Sequence, residues 1–230
     1  MENISKIRSL SLWVFLIPLF TVNLCLIVVI FFQEYIPHGV GIAPTFPYFD
    51  GGTSISRTAR NFPTNLIFKP GMIITSFLLI KYWMLNKNLL SNIEPLNIKS
   101  VNYFYIFGIL SAIFLILHAI FLGWDLYPGN KLYNNFRRLV IIAFIIFEVV
   151  AQLLLTINLY KFKKILTNNL SSNVVNIKVY FIFIISIITV VSFYILSVKD
   201  PSSNFKHILE WNYFTLLLVY YGLSRFVWKL

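Results

Sequence analysis

Charge is what this sequence has least of. Only 12% of its 230 residues are Asp, Glu, Lys or Arg, and just eight are acidic, against ~25% charged residues in soluble domains. A water-soluble fold of this length could not cover its surface with so few charges. Cysteine is nearly absent too: Cys25 stands alone, so no internal disulfide framework exists. It lies inside an apolar run, where it reads as a small buried filler rather than a reactive thiol. The chain carries no nucleophile elbow, P-loop, zincin helix or dinucleotide fingerprint. It also lacks the alternation of apolar and polar residues over ~10 positions that a transmembrane barrel needs. Segments 139–147 and 179–188 are continuously apolar instead.

What the chain has is hydrocarbon. Hydrophobic residues make up 58% and aromatics 18%, with a mean hydropathy of +0.78. A bilayer accepts such an exterior, provided the backbone satisfies itself as helices. About 20 helical residues span a ~30 Å hydrocarbon core. Six stretches reach that length or near it, at about 10–32, 70–86, 102–123, 139–160, 177–198 and 209–228. The reading is an all-α, polytopic bundle of six spans forming one transmembrane domain over 1–230. The first run follows Lys6 and Arg8 as a signal peptide would, but it is longer than a signal core and no small-x-small cleavage site follows, so it reads as a retained anchor. The five tryptophans, Trp13, Trp83, Trp124, Trp211 and Trp228, all fall near predicted span ends, the positions of interfacial anchors.

The net charge of +11 flanks apolar runs and forms no stripe, which argues for lipid headgroups and topology rather than nucleic acid. With the N-terminus inside, eleven Lys and Arg residues fall on the cytoplasmic side and eight opposite. The cluster Lys161, Lys163 and Lys164 weighs most, and both termini are placed in the cytoplasm. The one long connection, 33–69, then lies outside. It is punctuated by Pro37, Pro44, Pro47 and Pro63, and Pro70 suits the first turn of the second helix.

Two constellations can carry chemistry. In the long loop, the segment from Asp50 to Arg60 offers glycines, the hydroxyls of Thr53 and Ser54, and the guanidiniums of Arg57 and Arg60, groups that hold an anion such as a lipid headgroup. The plainer alternative is a capping loop in which Asp50 pairs with Arg57 or Arg60. Within the membrane, His118 in the third run and Glu148 in the fourth are costly in lipid and should face the bundle interior. Gly108, Ser111 and His118 share one helical face, and Glu148 and Gln152 another. If those faces meet, His118 and Glu148 can pair, as a polar clasp or as an acid–base pair. Glu210 opens the sixth run, where a helix dipole favours a carboxylate. Asp125, His207 and Glu210 gather on the outer side without the close spacing a metal needs. No metal and no cofactor is expected.

The loop reads Pro47-Tyr48-Phe49-Asp50-Gly51-Gly52, then Pro63-x-x-x-Ile67-Phe68 before the second helix. With six helices and cytoplasmic termini, this resembles the Frag/DRAM/Sfk family of membrane proteins, whose first loop commonly reads Pro-Tyr-Ile-Ser-Asp-x-Gly. The third-run histidine, Glu148-x-x-Ala151-Gln152 and Glu210-Trp211 resemble it too. The chain departs by lacking the serine before Asp50 and by carrying the extra segment 56–60. The resemblance implies work on or around membrane lipids.

The leading expectation is a protein that binds or organises a phospholipid or glycolipid through Asp50, Thr53, Ser54, Arg57, Arg60, His118, Glu148, Gln152 and Glu210. The rivals are an intramembrane lipid-modifying enzyme using His118 and Glu148, and a proton-coupled transporter of small solutes. Six short-looped helices without broken segments disfavour the transporter. Expected partners are membrane lipids, with a membrane-protein partner or a second copy of the chain as further candidates, and no nucleic acid. The abundance of Ile, Asn and Lys suggests a bacterial cell membrane, with a eukaryotic endomembrane as the alternative.

Overall fold

The computed structural model describes residues 2–32, 34, 42–93, 98–123, 131–166, 169–198 and 201–229, without the side chains of 98–100 and 197. Asp125, Trp124 and Pro37 lie outside them. Among the described residues there are seven helices and no strands: α1 (Glu2–Phe31), α2 (Ile55–Ala59), α3 (Asn65–Ile93), α4 (Ile98–Phe121), α5 (Lys131–Phe162), α6 (Ser172–Val198) and α7 (Ser203–Val227). All but α2 are long. Five of them, α1, α3, α4, α5 and α6, are long and apolar enough to cross a membrane. α7 is as long but more polar, because Asn212, Tyr213, Tyr220, Tyr221 and Ser224 face its neighbours and not lipid.

The six long helices pack as a closed ring in the order α1, α3, α4, α5, α6, α7 and back to α1. Small residues set two of the contacts. A Cβ at Gly108 would fall inside the indole of Trp83, and one at Gly71 inside the side chain of Thr21, so α4 lies directly on α3 and α3 on α1. One contiguous apolar core runs through the ring, with Trp83, Phe104, Leu155, Trp211 and Tyr220 fully buried.

The two ends of the ring differ. At one, called here the termini end, the residues after α5 meet the C-terminus: Leu170 bridges Trp228, and Ser171 N–H donates to the Val227 carbonyl at 2.9 Å. At the other, the loop end, the segment from 42 to 64 folds over the start of α7.

The helices are longer than the apolar runs that announce them. α5 begins eight residues before its predicted start and α6 five residues before. α3 begins at Asn65, so Pro70 sits in its second turn and not its first. Three tryptophans are corrected as well. Trp83, Trp211 and Trp228 are buried inside the protein, Trp83 ten residues before the end of α3 and Trp211 eight after the start of α7, whereas Trp13 is half exposed. Trp83 packs on Phe104, Tyr82 and Tyr221, and the Trp211 indole N–H donates to the Thr53 carbonyl at 2.9 Å. Proximity to a span end is shared by lipid anchors and by rings that plug the ends of a bundle.

Candidate functional site

The loop is built to dock. Asp50 folds its own turn: its carboxylate accepts from the Thr45 hydroxyl, from Phe46 N–H at 2.8 Å and from Gly52 N–H at 2.9 Å. Neither Arg57 nor Arg60 is among its partners. These donors, Thr45 first, hold the Asp50 carboxyl below the usual aspartate range. The loop's backbone then meets α7. Asn204 donates to the Asp50 carbonyl at 3.1 Å, and Asn212 to the Tyr48 carbonyl at 2.8 Å. His207 bonds the Gly51 carbonyl at 2.8 Å through Nδ1. A carbonyl only accepts, so Nδ1 carries the hydrogen in that contact. Because the Asp50 pKa is depressed in the folded loop, its contribution is complete above the unfolded value of ~3.9 and is lost as pH falls through the lower folded value. Protection of the Phe46 and Gly52 amides, taken relative to their intrinsic exchange rates, should therefore fall only below about pH 4, and Asp50→Asn should remove that acid step.

The docked loop carries α2, capped by Ser54, whose hydroxyl accepts from Arg57 N–H at 3.1 Å. Its first N–H groups, those of Ile55 and Ser56, face the Glu210 carboxylate on α7. Behind α2 lies the main feature of the molecule, a cavity of about 800 Å³ within the ring, lined by residues of every helix. Most of its wall is apolar: Val14 and Val22 of α1, Phe68 and Met72 of α3, Leu115 of α4, Ile141 and Ile145 of α5, and Phe214 and Leu217 of α7.

Its polar groups are sorted by depth. At the loop end stand Arg60, Arg137, Arg138 and Lys206, with Asn134, Ser56 and Glu210 beside them. The Arg60 Nε is buried and has no hydrogen-bond partner among the described residues. Arg137 lies 5.8 Å from the ring of Tyr133 one turn earlier, and the Tyr133 hydroxyl is anchored on the Phe121 carbonyl at 2.6 Å. His118 also lines the cavity, with its ring edge-on to Phe68 at 6.4 Å between centroids.

Ten residues along α5 from Arg138, or ~15 Å of helix, Glu148 forms part of the floor. It is 2% exposed. Ser111 bonds its Oε2 at 2.6 Å, while Gln152 at 2.8 Å and the Tyr221 hydroxyl bond Oε1. Gln152 continues to the Leu217 carbonyl at 3.4 Å, and Tyr220 donates to the Gln152 carbonyl at 2.9 Å. This network ties α4, α5 and α7 together beneath the cavity.

Of the residues expected from sequence, Arg60, His118, Glu148 and Glu210 come together around the cavity, and Gln152 lies just beneath it. Asp50, Thr53, Ser54 and Arg57 do not line it; Asp50, Thr53 and Ser54 build the loop, and Arg57 is exposed. The pairing of His118 with Glu148, conditional on their faces meeting, is not among the contacts of Glu148. Glu148 stands level with Ser111, and His118 lies seven residues, ~10 Å of helix, further toward the loop end. That difference in height keeps apart the pair that the shared faces suggested.

Sequence reasoning missed Arg137, Arg138 and Lys206 as site residues by assigning them to connections. It also gave no buried role to Lys178, which lies within the predicted run 177–198 and outside the cavity wall. That side chain is 1% exposed, donates to Ser224 Oγ at 2.6 Å and lies 3.8 Å from the Tyr220 ring centroid. Its spacing with buried Val175, Ile182 and Ile185 on one α6 face was the available signal. Among the described residues no three His, Cys, Asp or Glu side chains gather as a metal site; His207 is engaged with Gly51.

Long apolar helices in a closed ring, with their polar side chains turned inward, define an integral membrane protein of the polytopic helical class. A family model, the Frag1/DRAM/Sfk1/Cwh43P N-terminal domain, matches residues 7–226, and the chain belongs to that family. Comparison with curated proteins and with solved structures finds no match.

Proposed function

We propose that this protein binds a membrane lipid in the ring cavity, with an anionic headgroup at the loop end and hydrocarbon toward Glu148. The observation that carries this reading is the sorting of the cavity wall: four basic side chains at one end and an apolar body below. Arginine pairs with phosphate through two parallel N–H bonds, and hydrocarbon gains from any apolar wall that fits it. The ~15 Å between Arg138 and Glu148 is half a ~30 Å hydrocarbon core, the depth of one leaflet. Glu148, with both oxygens already engaged, acts in this reading as the clasp that closes the floor, not as a general base. The bound lipid is held or organised and not chemically changed.

The same reading includes six spans. α7 lies in the ring between α6 and α1, so it crosses wherever they cross. An even number puts both termini on one side, and the Lys161, Lys163 and Lys164 cluster puts that side in the cytoplasm. In a Cys25→Ser background, Phe49→Cys should react with an impermeant thiol reagent on intact cells and Ser172→Cys should not. Both positions are exposed. Labelling at 172 alone would reverse the orientation.

The lipid reading is tested by Arg137→Ala combined with Arg138→Ala. A charged hydrogen bond contributes ~1.5–3 kcal/mol, and each ~1.4 kcal/mol is tenfold in affinity. The pair should therefore cost about 100-fold or more in affinity for anionic phospholipid, measured as lipid retained per protein by mass spectrometry. Lys161→Ala with Lys164→Ala, at the termini end, should leave retention unchanged. Equal retention in both double variants would defeat the headgroup assignment.

A further inference from the structure

The ring is not closed evenly around its cavity, and the unevenness indicates how a ligand enters. On α6, Val175, Lys178, Ile182 and Ile185 are buried, but no described side chain from 186 to 198 is. α5 behaves alike: nine of its side chains from Glu148 to Phe162 are buried, and only Val140 among those before them. The hydrogen bond from Lys163 to Asn176 that ties α5 to α6, at 3.0 Å, sits at the termini end. The two helices are thus joined at one end and thinly packed toward the loop end.

The cavity wall shows the consequence. Where α1 and α3 form it, the lining residues are sealed: Val14 is 1% exposed and Met72 2%. Where α6 forms it, Phe193 is 43% and Leu196 45% exposed. Side chains that line a cavity and also face outward are its rim. The opening they frame lies beside the basic mouth, at the depth of the leaflet on the loop side, and it faces hydrocarbon.

We infer that the cavity is entered sideways, from that leaflet, between the loop-end halves of α5 and α6, and that its occupant is a two-chain anionic phospholipid lodging one acyl chain inside. The inference rests on the lipid reading above and adds the route and the class of lipid. A headgroup sliding along the leaflet stays at the level of Arg138 and Lys206 throughout, so it never crosses hydrocarbon. One chain passes the rim and occupies the ~15 Å above Glu148, a single chain's depth. The second chain stays in the bilayer, so a cavity of about 800 Å³ need not hold the whole molecule. A soluble anion would use the same arginines but needs neither the apolar body nor the lateral rim.

The test uses the full chain in phosphatidylcholine nanodiscs, mixed with vesicles containing phosphatidylglycerol that carries a photoreactive diazirine midway along one acyl chain. After illumination, labelled peptides are mapped. Met72 and Val14 should be labelled, although bulk lipid cannot reach them, and Arg137→Ala with Arg138→Ala should lower that labelling at least tenfold. Outward-facing Phe183 should be labelled equally in both proteins. Phe193→Trp with Leu196→Trp, which narrows the rim, should slow the appearance of label at Met72 at least tenfold, with the melting temperature unchanged. Arginine-dependent labelling at an unchanged rate in the narrowed variant would overturn the lateral route and leave the lipid reading standing. Absence of arginine-dependent labelling would overturn both. Labelling abolished by millimolar inorganic phosphate while retained lipid is unchanged would assign the arginines to a soluble anion and overturn the inference.

Discussion

Replacing Glu148 with leucine should destabilise the protein by about 2 kcal/mol or more, while Glu148→Gln should change stability by less than about 1 kcal/mol. Three donors converge on the carboxylate, from Ser111, Gln152 and Tyr221. Leucine fills the space but accepts nothing: Ser111 keeps the Gly108 carbonyl at 2.8 Å and Gln152 a long bond to the Leu217 carbonyl at 3.4 Å, while the buried Tyr221 hydroxyl loses its acceptor, and an orphaned donor costs ~1–3 kcal/mol. Glutamine fits the same geometry. Its carbonyl oxygen can accept from Tyr221 and Gln152, and its amide can donate to Ser111, whose own hydrogen then serves the Gly108 carbonyl at 2.8 Å. Thermal unfolding in detergent checks both values. Lipid retention should persist in the glutamine variant, since a clasp needs no exchangeable proton. A glutamine variant that folds normally yet loses function would point to acid–base chemistry at Glu148.

Gly51→Ala should undock the loop from α7 and expose the cavity. Gly51 has a φ of +63°, a left-handed conformation that costs a residue with a Cβ ~1–2 kcal/mol. The added methyl would also fall inside the backbone carbonyl of Asn204. Backbone cannot step aside as a flexible side chain can, so the contact must open. With it go the bonds from Asn204 and His207 and the seat of Trp211 under Thr53. At ~1 kcal/mol for each hydrogen bond, local docking should weaken by about 3–5 kcal/mol. Hydrogen exchange should rise across 45–60 and at the first turns of α7, with α3, α4 and the termini end of α5 unchanged. Lipid retention should fall as well, because the loop brings Arg60 and Ser56 to the cavity.

What could be read in the sequence followed from hydropathy. An apolar run must be buried in lipid or protein, so the long helices were legible at their centres. Their ends were not, because the first turns of α5 read Lys131-Leu-Tyr-Asn-Asn-Phe-Arg-Arg138, a composition that looks like a connection. That misplacement hid two of the four cavity cations. Lys178 lies inside the predicted run 177–198 and was hidden for another reason: its burial depends on Ser224 and Tyr220, which are distant in sequence. Glu148 was legible as inward-facing because a lone acid in an apolar run has few other places to go. Its partner was not: helical faces specify direction but not height, and the relative height of α4 and α5 brings Ser111 rather than His118 to the carboxylate. The loop's glycines and arginines suggested one anion site. In three dimensions that segment divides, with Asp50 and the glycines folding the turn and Arg60 reaching the cavity.

The central claim, a lipid held in the ring with its headgroup at the loop end, is tested most directly by a density map of the full chain in nanodiscs containing anionic phospholipid. The expected result is phosphate density within hydrogen-bonding distance of Arg137 or Arg138, continuous with one acyl chain descending toward Glu148 and the other leaving between α5 and α6. A cavity filled only by water, or collapsed onto itself with lipid confined to the outer surface of the ring, would contradict it.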